Sequence, residues 1–279
     1  MISLINIELY KIFKKWRTYI GFIAVGILVI VIEIAMMVEG QRSINFMTRE
    51  LQTTFYLIGN LLNSYFVSYF ILNTLTIHIP FLIALVAGDL LAGEATSGTY
   101  RLLITRPVSR SNIVTAKFIA GMLYSTLLIF WLAILSLGLG VFFLGTGELL
   151  VSNNGTITIL AKNDILWRFI LAYLFAVVSM GVVNSIAFFF SALVENAIGP
   201  IISTMAIIII FVIISAIDVD FFRIIKPYLF TNYMNTWRYF FENPVDKIEI
   251  LKSISILFAH IVILFSATLF IFNRKDILS

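Results

Sequence analysis

Six stretches of 15 or more residues contain no charged residue, and they indicate how the chain is organised. They cover residues 18–32, 51–88, 118–147, 169–194, 196–217 and 253–273. A helix rises about 1.5 Å per residue, so it needs about 20 apolar residues to cross a hydrocarbon layer of about 30 Å. The pattern predicts one all-α polytopic membrane domain over 1–279, with six transmembrane helices near 17–38, 64–87, 113–143, 167–191, 197–217 and 253–273.

The stretch 51–88 is too short for two spans and too long for one. Its first part, 51–63, carries polar residues such as Gln52, Asn60 and Asn63. We predict an external or interfacial helix there, although 51–63 belonging to the second span stays open. Pro80 lies inside that span, and a proline removes a helical hydrogen bond, so we expect a bend at this position.

The first 16 residues form a helical pattern with two different sides. Positions 5, 9, 12 and 16 make an apolar stripe, whereas Glu8, Lys11 and Lys15 lie on another stripe. An amphipathic helix with a basic side is typical of a segment that lies at the membrane surface. We therefore predict an N-terminal interfacial helix at 1–16. The alternative is that these residues are the end of the first span.

Composition supports the membrane class. The chain is 61% hydrophobic and 12% charged, whereas soluble domains have about 45–50% apolar and about 25% charged residues. This difference excludes a soluble enzyme, a disordered protein and a coiled coil. The chain also has no cysteine, which excludes disulfides and thiolate chemistry.

The positive charges indicate the orientation of the predicted bundle. With six spans both termini share one side with the Lys and Arg residues of 11–17, 101–117 and 274–275. Because short cytoplasmic loops are enriched in Lys and Arg, we assign both termini to the cytoplasm. The opposite side has nearly as many, but they concentrate in the long connection 218–252.

Motifs for chemistry within the chain are absent from the sequence. It has no G-x-x-x-x-G-K-[ST] phosphate loop, and its two histidines, His78 and His260, stand alone. We therefore predict no catalytic, cofactor-binding or metal-binding residue, and the scattered basic residues argue against nucleic-acid binding. Glu33 lies near the outer end of the first span, where we expect it to reach water. Asn73 and Asn184 are expected to join helices by hydrogen bonds.

The segment between the second and third spans has the strongest local signals. It begins with acidic residues, ends with basic ones, and contains Gly98 and Pro107. Gly98 can end a helix in a left-handed conformation, and Thr99 can cap a short helix that Pro107 stops. Ser109 or Ser111 can cap the third span. The sequence predicts a compact, charged loop that a soluble partner could contact.

One pattern in this loop resembles a known family. The residues Glu94-x-x-x-Gly98-Thr99-x-x-x-Leu103-x-x-x-Pro107-Val108-Ser109-Arg110, followed by Lys117, are similar to the membrane subunits of type-2 ABC exporters. The nearest branch is that of the nitrous-oxide-maturation and bacitracin-resistance type permeases. The resemblance in architecture covers the whole chain, from the basic interfacial helix to the charged residues after the last span.

The resemblance implies an assembly and a site. Two permease subunits, identical or related, would pair in a prokaryotic cell membrane with two separate ATPase subunits, which would bind ATP and Mg. Glu195 would make a second cytoplasmic contact. The loop that couples to the ATPase would contain Asp89, Glu94, Gly98, Thr99, Arg101, Arg106, Pro107 and Arg110.

Several alternatives remain open at this level. The spans lack a charged lining, which favours a hydrophobic or amphipathic substrate over a bare ion. The aromatic connection 218–252 can form interfacial helices or an exit gate. A mechanical relay that is driven by the same ATPase without transport, and a membrane-embedded lipid-modifying enzyme, are the rival functions.

Overall fold

The structure, a computed structural model, describes residues 1–49, 60–98, 108–153 and 156–275. The chain begins with a separate helix, α1 (Ile2–Lys14), as the two-sided pattern predicts. It meets α2 (Trp16–Thr48) at Lys15, whose backbone is extended. The helix α2 continues about ten residues beyond the predicted 17–38, and its last turns contain hydrogen bonds from Gln41 to Asn45 and from Thr48 to the carbonyl of Ile44.

The second span is bent, as Pro80 predicts. The helix α3 (Ser64–Leu75) and the helix α4 (Ile79–Ala87) meet at 52°, with Pro80 in the first turn of α4. Asn63 begins α3, because its side-chain oxygen accepts hydrogen bonds from the amides of Tyr65 at 3.0 Å and Phe66 at 3.3 Å. The helix predicted within 51–63 lies largely outside the described residues.

The third span follows a short helix, α5 (Asp89–Thr96). It consists of α6 (Arg110–Ala133), a π-helical segment (Ile134–Leu139) and α7 (Gly140–Leu144). A hairpin then departs from the all-helical prediction: β1 (Leu149–Asn153) pairs antiparallel with β2 (Thr156–Leu160). The β-branched residues Thr and Ile make up most of β2, and this residue type favours a strand.

The helix α8 (Leu166–Leu193) is the centre of the bundle, and 72% of its most apolar window is buried. It packs against α4, α6, α9 (Ile198–Ala216) and α12 (Lys247–Arg274). Five stretches of the described chain are long and apolar enough to cross a bilayer, and the bent pair α3–α4 makes a sixth if its halves form one span. The chain is therefore a helical, multi-pass membrane protein.

The connection before α12 folds back onto the bundle. It contains α10 (Asp220–Ile225), α11 (Phe230–Met234) and two 3₁₀ turns, Lys226–Tyr228 and Asn235–Phe241. Trp237 and Phe241 are fully buried, whereas Phe221 and Tyr228 are exposed. The guanidinium of Arg168 donates hydrogen bonds to the carbonyls of Phe240 at 2.7 Å and Glu242 at 2.8 Å, which fixes the buried part to α8.

Candidate functional site

The residues that the sequence assigns to the coupling loop are described only in part. Asp89 and Glu94 lie on α5, Gly98 follows it, and Arg110 begins α6. Thr99, Arg101, Arg106 and Pro107 lie outside the described residues. Glu195 is exposed in the turn between α8 and α9. All the described members lie at the end of the bundle that carries α1.

Ser191, at the end of α8, fixes the start of α5. Its hydroxyl donates to the carbonyl of Gly88 at 2.6 Å and accepts from the amides of Leu91 at 3.0 Å and Ala92 at 2.8 Å. The first amides of a helix have no partner inside the helix, and Gly88, which precedes α5, has no side chain that could cap them. The hydroxyl of Ser191 takes this role. As a result α5 is joined to the central helix, about a hundred residues further along the chain.

Lys117 is the centre of a charge cluster that consists of Glu8, Lys11, Glu94 and Lys117. Its ammonium lies 2.7 Å from Glu8 Oε2 and 2.8 Å from Glu94 Oε1, and its side chain is only 2% exposed. Lys11 contacts the same two carboxylates at 2.9 Å from the more open side. The cluster joins α1, α5 and α6, because each helix contributes at least one of its charges.

The charges of the cluster stabilise one another. Burial lowers the pKa of Lys11, but its hydrogen bonds to Glu8 and Glu94 outweigh that effect, so this pKa lies above its ordinary value of 10.5. Lys11 therefore remains charged at neutral pH. Removal of one member would leave opposite charges buried without a full set of partners, which is far more destabilising than the loss of an exposed ion pair.

Asp89 makes a second connection to the N-terminal segment. Its carboxylate lies 2.7 Å from Lys15 Nζ and 2.9 Å from Arg17 Nη1. Lys15 lies at the junction of α1 and α2 and Arg17 in the first turn of α2, so the junction is tied to the first turn of α5. Asp89 and Glu94, which the sequence predicts as contacts for an ATPase, are in fact turned toward their own chain and buried.

The end of α5 has the geometry that its glycine predicts. Gly98 has a φ of +67°, a left-handed conformation that a residue without a Cβ adopts freely, and its amide bonds the carbonyl of Ala95 at 3.1 Å. Thr96, in the last turn, donates to the carbonyl of Glu195 at 2.8 Å. The two segments predicted as cytoplasmic contacts are therefore adjacent in space.

The C-terminal segment joins the same end of the bundle. Arg110 Nη1 donates to the carbonyl of Lys275 at 3.0 Å, and Lys275 Nζ donates to the carbonyl of Ala192 at 3.2 Å. Ser109 caps α6, because its hydroxyl accepts from the amide of Asn112 at 3.2 Å. The described residues on either side of 99–107 are thus held by hydrogen bonds to other parts of the chain.

A cavity of about 480 Å³ lies between α1, α5 and α6, beside the charge cluster. Apolar side chains such as Leu4, Ile7 and Ile113 line it together with the charged residues. The cavity therefore reaches the charge cluster, since Glu8, Lys11, Glu94 and Lys117 are among the residues that line it.

Sequence reasoning missed the partners of the two acidic residues. The stripe pattern had placed Glu8 and Lys11 on one side of α1, and this is the side that meets Glu94. Lys117 belongs to the pattern that carries the family resemblance, but that pattern indicates no partner for its charge. No local signal distinguished Ser191 from the other serines of the apolar stretches, because its role depends on a helix start that lies far away in sequence.

The other singled-out polar residues lie elsewhere. Among the described residues, no group of three or more His, Asp or Glu side chains could hold a metal ion. Asn73 accepts a hydrogen bond from Arg238, in the connection before α12. Asn184 is fully buried without a described hydrogen-bond partner. Glu33 is only 2% exposed, so the expectation that it reaches water is wrong for this arrangement.

Comparison with known proteins identifies the family to which the chain belongs. A family model described as ABC-2 family transporter protein matches residues 2–277, almost the whole chain. The uncharacterized protein YhcI of Bacillus subtilis (strain 168) is 33% identical over 116 residues, which are 40% of this chain and 37% of that protein. The aligned region thus spans just over a third of the length of this relative.

Proposed function

The chain belongs to the ABC-2 transporter family, and on this premise we propose that it is the membrane subunit of an ATP-driven exporter. A separate ATPase subunit, present in two copies, would bind ATP and Mg. A second permease subunit, identical or related, would complete the membrane part. The end of the bundle that carries α1, α5 and Glu195 would face the cytoplasm, in the cell membrane, and would receive the ATPase.

The observation that carries this proposal is the fixation of α5 at the start of the loop. Three hydrogen bonds to Ser191 hold its first turn, and ion pairs of Asp89 and Glu94 hold one of its sides. Its last turn contacts the Glu195 segment. A loop that is anchored in this way can pass a force to the spans, because it cannot move without them.

The route of that force follows from the contacts. The helix α5 continues α4 through the single residue Gly88, so a displacement of α5 acts directly on the bent second span. The charge cluster passes it to α1 and α6, and Ser191 passes it to α8. In this proposal Asp89 and Glu94 position the loop, while Glu195 and the basic residues Arg101 and Arg106 contact the ATPase.

Co-purification of the ATPase subunit tests the proposal. Charge reversal at Arg101 or Glu195 should reduce the amount of ATPase that is retained, because a hydrogen-bonded interfacial charge typically contributes about 2–5 kcal/mol. The matched control is Glu39→Lys, on the far part of α2, where Glu39 pairs with Arg42 on an exposed face. Normal retention of the ATPase and normal ATP-driven transport in both the Arg101 and the Glu195 charge-reversal variants would contradict the placement of the contact.

An exposed apolar face on α9 is available for the proposed pairing of two permease subunits. The window of α9 that is most apolar is only 17% buried, and large side chains such as Ile202, Ile209 and Ile213 are exposed. Lipid or a second subunit can cover such a face. Chemical crosslinking in native membranes should yield a permease dimer. A chain that remains monomeric there, with its ATPase bound, would contradict pairing.

The apolar surface of the spans suggests a class of substrate. A hydrophobic or amphipathic molecule suits a bundle whose described spans expose mainly aliphatic and aromatic side chains. Stimulation of ATP hydrolysis by candidate lipids or amphipathic peptides, in the purified complex of both subunits, would identify it. If no candidate substrate stimulates ATP hydrolysis, and hydrolysis instead alters a protein partner outside the membrane, the result would favour the mechanical relay.

A further inference from the structure

Glu33 occupies a position on the inward stripe of α2. The residues Val25, Val29, Met36 and Ile44 are buried along this helix, and Glu33 falls on the same stripe with 2% exposure. Spacings of three and four residues place side chains on one side of a helix, so the backbone directs this carboxyl into the bundle. The helix continues for fifteen residues beyond Glu33, to Thr48. The carboxyl therefore lies inside the bundle, away from the helix ends.

The surroundings of Glu33 leave polar atoms without partners. Glu33 Oε1 and the Ser64 hydroxyl are both buried and have no hydrogen-bond partner within the described part of the chain. Both residues lie next to Gly140: a Cβ built on this glycine would be 3.1 Å from Ser64 Cβ and 3.6 Å from Glu33 Oε1. The first amides of α3 are already bonded to Asn63 and to the carbonyl of Gly145, so they do not bind the carboxylate.

No described cation lies near the carboxyl. The elements that pack against α2 include α1, α3, α4, α6, the π-helical segment and, through Gly140, the start of α7. The helices α4 and α7 and the π-helical segment carry no titratable residue, and α3 carries only the tyrosines Tyr65 and Tyr69, whose rings contact other aromatic rings. Two of the remaining titratable groups are Glu148, whose carbonyl bonds the Asn63 cap, and Tyr124, a buried tyrosine of α6. Glu39, Arg42 and Arg49 lie farther along α2. The others lie toward the end of the bundle that carries α1: Glu8, Tyr10, Lys11, Lys14, Lys15, Arg17, Tyr19, Arg110 and Lys117.

A charged carboxylate in this position would be strongly unfavourable. Transfer of an isolated carboxylate from water into a protein interior costs several kcal/mol even after relaxation, unless a cation or several donors compensate. A carboxylic acid is neutral and supplies a donor of its own, so the same site accepts it at far lower cost. We propose that Glu33 is a proton-binding site, occupied in the arrangement described here and emptied when α2 separates from Ser64 and Gly140 and water enters.

This site lies outside the proposed coupling to the ATPase. It gives the conformational cycle a step in which one proton is bound or released at the part of the bundle remote from the loop. Opening of the α2–α3 contact would then be favoured at high pH, and the closed arrangement at low pH. The Glu33→Gln variant keeps the shape of the protonated acid and should favour the closed arrangement at every pH.

A hydrophobic carbodiimide, dicyclohexylcarbodiimide, tests the protonation state on the full chain in membranes. It reacts with a protonated carboxyl, takes up its proton and forms an O-acylisourea, which rearranges to a stable N-acylurea of unchanged mass. Peptide mass spectrometry at neutral pH should find severalfold more adduct on Glu33 than on Glu39, which is exposed and paired with Arg42 on the same helix. Suppression of the Glu33 adduct by alkali-metal salts at constant pH would overturn the proposal in favour of a cation site.

Infrared spectroscopy decides the case in which the reagent does not reach the site. The spectrum of the parent minus that of Glu33→Gln should contain the carbonyl band of a protonated carboxylic acid at neutral pH. A carboxylate band in its place would overturn the proposal, whatever the labelling result. Both measurements are made on the permease chain alone or in its complex, so their outcome does not depend on the ATPase contact.

Discussion

The substitution Lys117→Met tests most directly whether the charge cluster stabilises the fold. Methionine keeps an unbranched side chain of similar length in the packed site but removes the ammonium that lies 2.7 Å from Glu8 and 2.8 Å from Glu94. Among the described residues, Lys11 is then the cation that the two carboxylates share, and its side chain is 38% exposed. We expect the permease to unfold at a markedly lower temperature, and α1 to detach first.

The magnitude follows from the geometry. At an effective dielectric constant of about 20, each of the two lost ion pairs is worth about 6 kcal/mol before desolvation is subtracted. The desolvation of Lys117, with a side chain that is 2% exposed, offsets most of that gain. Measured losses of one partner from buried pairs are about 3–5 kcal/mol. With about 2–4 °C per kcal/mol for a large domain, the midpoint should fall by roughly 6–20 °C.

The assay is thermal unfolding of the purified chain in one mild detergent, with proteolysis of α1 as a local probe. Lys252→Met is the matched control, because Lys252 pairs with Glu249 on an exposed face and should melt with the parent. In a double-mutant cycle, Glu8→Gln combined with Lys117→Met should recover part of the loss, since the unpaired acid is removed as well. A parent-like midpoint for Lys117→Met, or strictly additive effects in the cycle, would refute the reasoning.

Three further predictions concern the same bundle. Ser191→Ala removes the cap of α5 and should lower stability by about 1–3 kcal/mol, with faster hydrogen exchange at the first amides of α5; unchanged exchange would contradict the capping role. Gly121→Ala places a methyl group 2.6 Å from a buried amide oxygen of α8 and should cost about 1–3 kcal/mol, whereas Gly138→Ala, with open space around it, should be neutral in thermal unfolding. A cysteine at the exposed Glu195 should be shielded from a membrane-impermeant thiol reagent in intact cells, and one at the exposed Asn163 should react; the reverse pattern would invert the orientation.

Some features of the candidate site could be predicted from the sequence because their causes are local. The bend before Pro80 follows from a missing amide hydrogen, and the end of α5 follows from the freedom of Gly98 to adopt a positive φ. The cap by Ser109 also acts within three residues. The apolar stretches indicated helices across a membrane, because a backbone in hydrocarbon must bond within its own segment.

Other features required the tertiary structure. The sequence pointed to Asp89 and Glu94 as charges for a partner, but they are buried by ion pairs with residues of α1, α2 and α6. The partners Glu8 and Lys117 are 109 residues apart, so no local pattern could join them. Likewise, a carboxyl near the end of an apolar run suggested contact with water at Glu33, and only the packing of α2 against α3 and α7 directed it inward.

The physical reason for the difference is the range of each interaction. Backbone conformation and transfer into lipid depend on residues within one or two helical turns, so composition and spacing determine them. The state of a charged side chain depends on which groups replace its water, and those groups come from other helices. In this protein the sequence alone determined the class, the stretches that are apolar enough to cross a membrane and single helix ends such as those at Gly98 and Ser109. Helix packing decided which charges remain exposed to a partner and which hold the bundle together.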